Sequence, residues 1–432
     1  MNKFKSIFLN RLTLCSLAFQ VGTIAFPLNV AAKTFNLPKG IGIWNYGYRS
    51  YDSMTLSYDR NGQIESIGDG FKQNFNGPSL LNGSSSGDLG TLAQEVNRFE
   101  YAGDKSGVLA GLDLGTFGVD VEATVNTHIF GLGYGVTDWL TVYAGVPLIN
   151  VNVSTNMYMT GKNTASDLKR RLGDLSYEEL KDGLDTASTL DVAMIQGALE
   201  EMGYTGLEHW EHTGLGDINL GFATSYSFRP TSDLGFTPYS KFNMTIPIAH
   251  EDDPDILTDT STGYGYFSAS LLVGQVFSVG RYYYGGIEGS YQYNFNHLKA
   301  VRRPESEGST LAPYENGEII EVDPGDESEV SIYAGAEYWI FSGEYKLSDR
   351  NAKSDALVGI DDSIYDSLIN NSEKNAFSQK MTASITTVDL YKKKTFPIPF
   401  IFSVAKKTNL SGKNAIIDDY FEVELSSFFT FN

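Results

Sequence analysis

One stretch limits what this chain can fold into more than any other: residues 117–134, followed at once by 139–156. The odd positions run Phe117, Val119, Val121, Ala123, Val125, Thr127 and Ile129; the even ones run Gly118, Asp120, Glu122, Thr124, Asn126 and His128. Apolar and polar faces alternating with a period of two mark a β-strand with oil on one side and water on the other. The run exceeds the ~9–11 residues that a tilted strand needs to cross a bilayer. This reading puts the odd face against lipid and the even face inward. Gly135, Val136, Thr137 and Asp138 make a tight return. The next strand carries Leu140, Val142, Ala144, Val146 and Leu148 on even positions, but Val151 and Val153 on odd ones, opposite Asn150, Asn152, Ser154 and Asn156. A one-residue bulge near Pro147 would turn the alternation over in this way.

A soluble sheet can alternate too, so the decision rests on repetition and on the chain ends. A first strand is predicted over 40–50, with Trp44, Tyr46 and Tyr48 on one face. Alternation resumes over 218–228, 236–248, 267–273, 283–295 and 330–340, with Asp217, Lys241, Glu288 and Glu337 on the polar side. It is weaker after Ser342 and Gly343 and over 381–391. Pro397 and Pro399 keep their stretch out of a central strand. Connections alternate between short (135–138, 229–235, 278–281, 342–343, 392–395) and long (51–114, 161–213, 249–264, 297–329, 347–378, 407–418). Bacterial outer-membrane barrels pair short periplasmic turns with long outer loops, and the crossings number about 12, with 10 and 14 the neighbouring even counts. The last strand sets Phe421, Val423, Leu425, Phe429 and Phe431 against Glu422, Glu424, Ser426 and Thr430. Closure explains why so many half-apolar strands coexist, since in lipid every backbone group needs a partner.

The start reads as a secretory leader over 1–32: Lys3, Lys5 and Arg11, an apolar run over 12–28, and Val30, Ala31 and Ala32 at the cleavage point. The barrel then occupies 33–432. Cys15 is the only cysteine and lies in the leader, and Leu14 before it rules out a lipid anchor. The formal charge is −21, and losing the three leader cations makes it −24, which argues against a nucleic-acid partner. The 26 Tyr and 26 Phe suit aromatic belts at two membrane–water interfaces.

Two long connections have content of their own. Residues 51–114 are polar and rich in turn signals, with room for a hairpin or a short helix near Leu92. Residues 161–213 read as a helical outer-loop insert, with capping boxes at Ser176/Glu179 and Ser188/Asp191. Its apolar stripe of Leu190, Met194, Ile195, Ala198 and Met202 stops at Gly203, and makes the insert a candidate plug or lid.

The run Phe130-Gly-Leu-Gly-Tyr-Gly-Val-Thr-Asp-Trp-Leu-Thr-Val-Tyr-Ala-Gly-Val-Pro147 and the strand start Gly214-Leu-Gly-Asp-Ile-Asn-Leu-Gly221 resemble the outer-membrane family named for the meta-pathway of phenol degradation. The resemblance implies a channel or transporter for small solutes, hydrophobic and aromatic ones among them. The acidic loops and the helical insert have no counterpart in it.

The fold class is therefore all-β: a transmembrane, antiparallel, up-and-down barrel in the cell outer membrane. The expected function is passive uptake of small solutes. A structural or adhesive barrel is the alternative, and a barrel hydrolase stands third. No nucleophile motif accompanies His128, His209, His212, His250 or His297, so no catalytic residue is assigned and an enzyme is not expected. His209 and His212 with Glu208 and Glu211 would form a metal pair only on a helix, and no metal or cofactor is assigned. The acidic runs 251–259 and 315–329 lack the calcium-loop pattern and read as solvated surface. The side chains opposite the oily faces are the lumen-lining candidates: Asp120, Glu122, Asn126, His128, Asp217, Lys241, Glu288, Glu337, Glu422 and Glu424. Their acidity predicts a preference for cations. Expected partners are outer-membrane lipid and lipopolysaccharide, the barrel-assembly machinery acting on the last strand, and a small-molecule solute.

Overall fold

The computed structural model describes residues 36–430 apart from 79, 81–91, 99–109, 173–177, 206, 208, 305–310, 361–362 and 370–371. The leader, Ser176 and Phe431 lie outside the described residues. Twelve strands close into one antiparallel barrel. They are β1 (Ile41–Tyr51), β2 (Asp113–Thr137), β3 (Leu140–Thr160), β4 (Ile218–Ser225), β5 (Leu234–Ile246) and β6 (Ser268–Val279). The second half comprises β7 (Tyr283–Asn294), β8 (Glu327–Tyr338), β9 (Phe341–Ala352), β10 (Lys374–Thr386), β11 (Phe400–Lys413) and β12 (Tyr420–Thr430). Each strand pairs with its successor, and β12 pairs with β1 from Ile41↔Thr430 to Tyr51↔Tyr420. No sheet edge is left in the ring, which is the condition for strands in lipid. The weakly alternating stretch after Ser342 and Gly343 is a full member, β9; of 381–391 the part to Thr386 belongs to β10, which begins at Lys374, and Val388–Lys392 is helical.

Outward side chains draw the membrane band. Exposed aromatics ring the short-turn end (Trp139, Tyr226, Phe228, Tyr282, Tyr283, Tyr338 and Trp339) and the far end (Phe267, Tyr291, Tyr293 and Phe295). Two such girdles around an apolar belt are the mark of an outer-membrane barrel.

The opening hairpin departs from its sequence reading in an instructive way. In β2 the exposed apolar residues are Phe130, Leu132, Tyr134 and Val136, all at even positions. Asp120 and Glu122 lie on that same outward face, while Phe117, Val119, Val121, Ala123, Val125 and Ile129 are buried inside. The odd face therefore never meets lipid. No bulge forms at Pro147 either: β2 and β3 stay in register from Thr116↔Thr160 to Gly135↔Thr141, with the one irregularity at the turn. The medium changes instead of the strand. Below the level of Ile129↔Pro147 the outside is lipid. Above it the hairpin rises clear of the bilayer, the outside is water and the inside is a protein core.

That core belongs to a cap on the extracellular end. The insert forms helices α1 (Ala165–Leu172), α2 (Glu178–Ser188) and α3 (Val192–Glu201). Leu168, Leu184, Ile195 and Leu199 pack with Phe117, Val119, Val121 and Val151 of the raised hairpin and with Phe71 and Phe75 of the first long loop. The first loop supplies the hairpin Leu56–Tyr58/Ile64–Ser66, and residues 92–98 are helical. The start of α3 differs from the predicted box. Asp191 is itself the N-cap, accepting from the Met194 amide at 2.9 Å, while the Ser188 hydroxyl donates to the Asp185 carbonyl. Gly203, with φ of +81°, ends the helix as expected, because the left-handed turn there suits a residue without Cβ.

Arg302 pins the end of α3 to the neighbouring loops. Its guanidinium donates to the carbonyls of Met202 (2.9 Å), Gly203 (2.7 Å) and Ala312 (3.0 Å), and to the Asp255 carboxylate (2.9 Å). It also lies 3.8 Å from the centre of the Tyr204 ring. A cation on the last carbonyls of a helix satisfies groups that the helix itself leaves open.

Candidate functional site

A cavity of 1630 Å³ runs through the barrel. Its lining starts at Leu37, Pro38 and Ile41 on the periplasmic side, passes Lys346 and Lys380, and reaches Asp59 and Asp252 in the extracellular loops. It is off-centre. The wall is drawn mainly from β5 to β12 and β1, whereas β3 contributes nothing, β2 contributes Val125 alone and β4 Asn219 alone.

The other side is filled by residues 36–40, the first of the described chain. Leu37 is buried with Ile43, Ile129, Tyr143 and Ala223. Its amide donates to the Thr141 hydroxyl at 2.7 Å, the Asn36 side chain donates to the Ser225 carbonyl at 3.2 Å, and the Gly40 amide donates to the Gly135 carbonyl at 2.9 Å. Residues 36–40 thus form a strap across the periplasmic end beside β2, β3 and β4. Burial of one leucine is worth about 1.5–3 kcal/mol, enough with these hydrogen bonds to hold a short segment in place.

Four inward tyrosines keep the wall thin. Tyr143, Tyr239, Tyr333 and Tyr284 lie over Gly221, Gly274, Gly286 and Gly335, so closely that a Cβ at any of these glycines would collide with the ring. Each ring occupies the space over its partner glycine, where a residue with a side chain would displace it. The freed hydroxyls are used: Tyr239 donates to Glu288, and Tyr284 donates to Glu344 at 3.1 Å. Gly274→Ala should cost about 1–3 kcal/mol by overpacking. In a Tyr239→Ala background most of that cost should vanish. Urea unfolding of the four proteins checks it, and an equal cost in both backgrounds would refute the joint.

Charges line the same wall in pairs. Lys346 contacts Glu288 and lies 3.7 Å from Glu329; Arg350 contacts Glu327. Glu422 receives both Arg49 and Lys380 at 3.1 Å, tying β12 to β1 and β10. Pairing is what allows ions to persist inside a wall.

The predicted lumen residues divide accordingly. Lys241, Glu288 and Glu337 line the cavity. Glu422 and Glu424 point inward but are buried in the wall, Glu424 accepting from Asn45 and Ser403. Asp217 also points inward, yet its carboxylate is occupied by the amides of Ile248 (3.1 Å), Ala249 (3.1 Å) and Tyr264 (2.7 Å) and organises the loop above. Asp120, Glu122, Asn126 and His128 face outward. His128 meets the Tyr46 hydroxyl at 2.8 Å and Asn126 accepts from Tyr48 at 2.9 Å, both at the upper edge of the belt. The oily face of β2 is buried inside the barrel and cap, which leaves these four polar side chains on the outside, contrary to the expectation from sequence.

Residues that sequence reading missed include Arg49, Lys346, Arg350, Lys380 and the tyrosines. Arg49 was legible, since it has the opposite parity to Trp44, Tyr46 and Tyr48. Lys346, Arg350 and Lys380 sit on strands that alternate poorly in sequence. The plug candidates Leu190, Ile195 and Met202 are buried in the cap core, and Met194 is half-buried. Among the described residues of 161–213 only Tyr204 touches the cavity. Trp210–Leu215 is a strand, not a helix. His212 therefore has no helical i, i+3 neighbour in His209; it stacks on His250 with centroids 4.5 Å apart. Burial and the neighbouring His250 push the His212 imidazole below its usual value. Among the described residues no group of three or more His, Cys, Asp and Glu converges as a metal site.

No family model matches the sequence, and no curated protein does. Solved structures are similar in shape. An outer-membrane channel from Pseudomonas putida F1 aligns over 91% of this chain and 97% of its own, with a TM-score of 0.50 and 12% identity. The P. putida toluene transporter TodX aligns over 92% and 91% (TM-score 0.31, 10% identity), and the Ralstonia pickettii toluene transporter TbuX over 92% and 90% (TM-score 0.30, 11% identity). At such identities the likeness to the first of these is one of fold.

Proposed function

We propose that this barrel is a passive channel that takes small solutes across the outer membrane, those with apolar or aromatic bodies included. The observation that carries the reading is the off-centre cavity, whose lining extends from the extracellular loops to the periplasmic strap. A barrel kept only as a scaffold would gain by filling this space, since packed interiors are denser and more stable. Instead the tyrosine–glycine joints hold the wall back and the charges are paired along it. The channel from P. putida F1, alike in fold, is in keeping with this reading. The helical insert fits the part of a lid, because its apolar stripe is spent on the cap core above the mouth. The strap of residues 36–40 narrows the other end.

Purified protein in a planar bilayer should give discrete conductance steps, and deleting residues 36–39 should raise the unit conductance. Folded protein that conducts nothing in either form would leave a structural barrel as the remaining reading.

A further inference from the structure

Three lysines stand opposite one another on adjacent strands. Lys346 of β9 is the register partner of Lys380 on β10, and Lys380 is that of Lys407 on β11. All three face inward and line the cavity, as does Arg350 on the same face of β9. Like charges directly opposite across a ladder are destabilising. A row of three is a cost that barrel closure does not require, since neutral side chains would close the same wall.

Each cation has a carboxylate, but the partners sit unequally. In Lys346–Glu288 the side chains are 26% and 15% exposed; in Lys380–Glu422 they are 22% and 5%; in Arg350–Glu327 they are 31% and 7%. In these three pairs the acid is the less exposed partner; Glu422 and Glu327 stand behind the cavity lining, whereas Glu288 lines the cavity beside Lys346. The order reverses in two pairs: Lys346–Glu329, at 26% and 35%, and Lys407–Asp418 at the extracellular rung, at 20% and 32%. Glu344, the acid beside the ladder on the same face of β9, is engaged by the Tyr284 hydroxyl at 3.1 Å. Glu329 lies 3.7 Å from Lys346 and accepts from the Ser331 hydroxyl. At Lys380 and Arg350 a passing solute therefore meets the ammonium and guanidinium groups first. The acids behind them keep those groups charged and positioned, and a second anion in front gains their remaining donors.

We propose that this lysine ladder binds the carboxylate of small organic acids and makes the lumen prefer anions. The inference rests on the channel reading and reverses the expectation drawn from the acidic residues alone. The test uses three solutes on one six-carbon frame: neutral glucose, anionic gluconate and cationic glucosamine, taken up by liposomes bearing the full-length protein. Gluconate should outrun glucosamine by roughly tenfold, the lower end of what a focused field supplies. A potassium chloride gradient across a bilayer should give a reversal potential of the sign set by chloride. In Lys346→Gln/Lys380→Gln, which leaves Glu288 and Glu422 in place, the gluconate-to-glucosamine ratio should fall to one or below. Glucose uptake without a gluconate preference in the wild-type protein overturns the ladder and spares the channel. An unchanged ratio in a double variant that still migrates as a folded barrel on unheated gels also overturns it. Exclusion of all three solutes removes the channel reading and this inference with it.

Discussion

Leu132→Arg will keep the chain from inserting. Leu132 sits outward in the middle of the lipid-facing run of β2, between Phe130 and Tyr134, and is 61% exposed. An arginine near the midplane on that face costs about 2–4 kcal/mol. Folding into vesicles, followed by the heat-modifiable band on gels, should show most of the variant unfolded where the wild type is inserted. Glu122→Arg should insert like the wild type. Glu122 is also outward, but it stands above the bilayer in water, where it accepts from the Ser53 hydroxyl at 2.6 Å. Val121→Arg separates the two levels of the hairpin. Val121 is buried in the cap core, so the barrel should form while the cap loosens. If Leu132→Arg and Glu122→Arg inserted equally well, the facing of β2 would be wrong.

Arg302→Leu should release the cap without opening the barrel. The buried guanidinium serves three carbonyls and Asp255; its loss leaves the carbonyls of Gly203 and Ala312 without that donor, while Met202 keeps the Tyr314 amide at 3.1 Å. Each buried polar group left unmet costs about 1–3 kcal/mol. Asp255 is part-exposed and can turn to water, so the carbonyls dominate. Limited proteolysis should cut the variant in α3 or in the loop 311–316 at concentrations that spare the wild type, while unheated gel migration stays that of a folded barrel. Arg302→Lys should rescue little, because an ammonium cannot reproduce the planar fork. A cleavage pattern identical to that of the wild type would mean that the insert is held by its apolar contacts alone.

Much of the architecture was legible because a barrel strand repeats one simple demand. Facing lipid outside and a lumen inside, β4 to β8 alternate cleanly, and their short turns and long loops follow in order. The last strand could be read for the same reason. The lumen was legible only where the alternation was. Glu288 and Glu337 were found through their oily neighbours, whereas Lys346, Arg350 and Lys380 lie on strands whose outward faces include Gly343, Asp349 and Gln379. A face that small and polar gives no contrast to read.

Period two by itself determined that this chain is built of strands with unlike faces, that these strands number near twelve, and that a helical segment interrupts them after the third. It could not determine which medium each face meets. Along β2 and β3 the same buried apolar row serves the strap and barrel wall below and the cap core above, while the outward row passes from lipid into water. A leucine or valine has the same preference for a bilayer as for a protein core, because both exclude water. Only the packing of the insert against the inside of the raised hairpin decided the matter, and with it which carboxylates stand in the lumen and which stand outside.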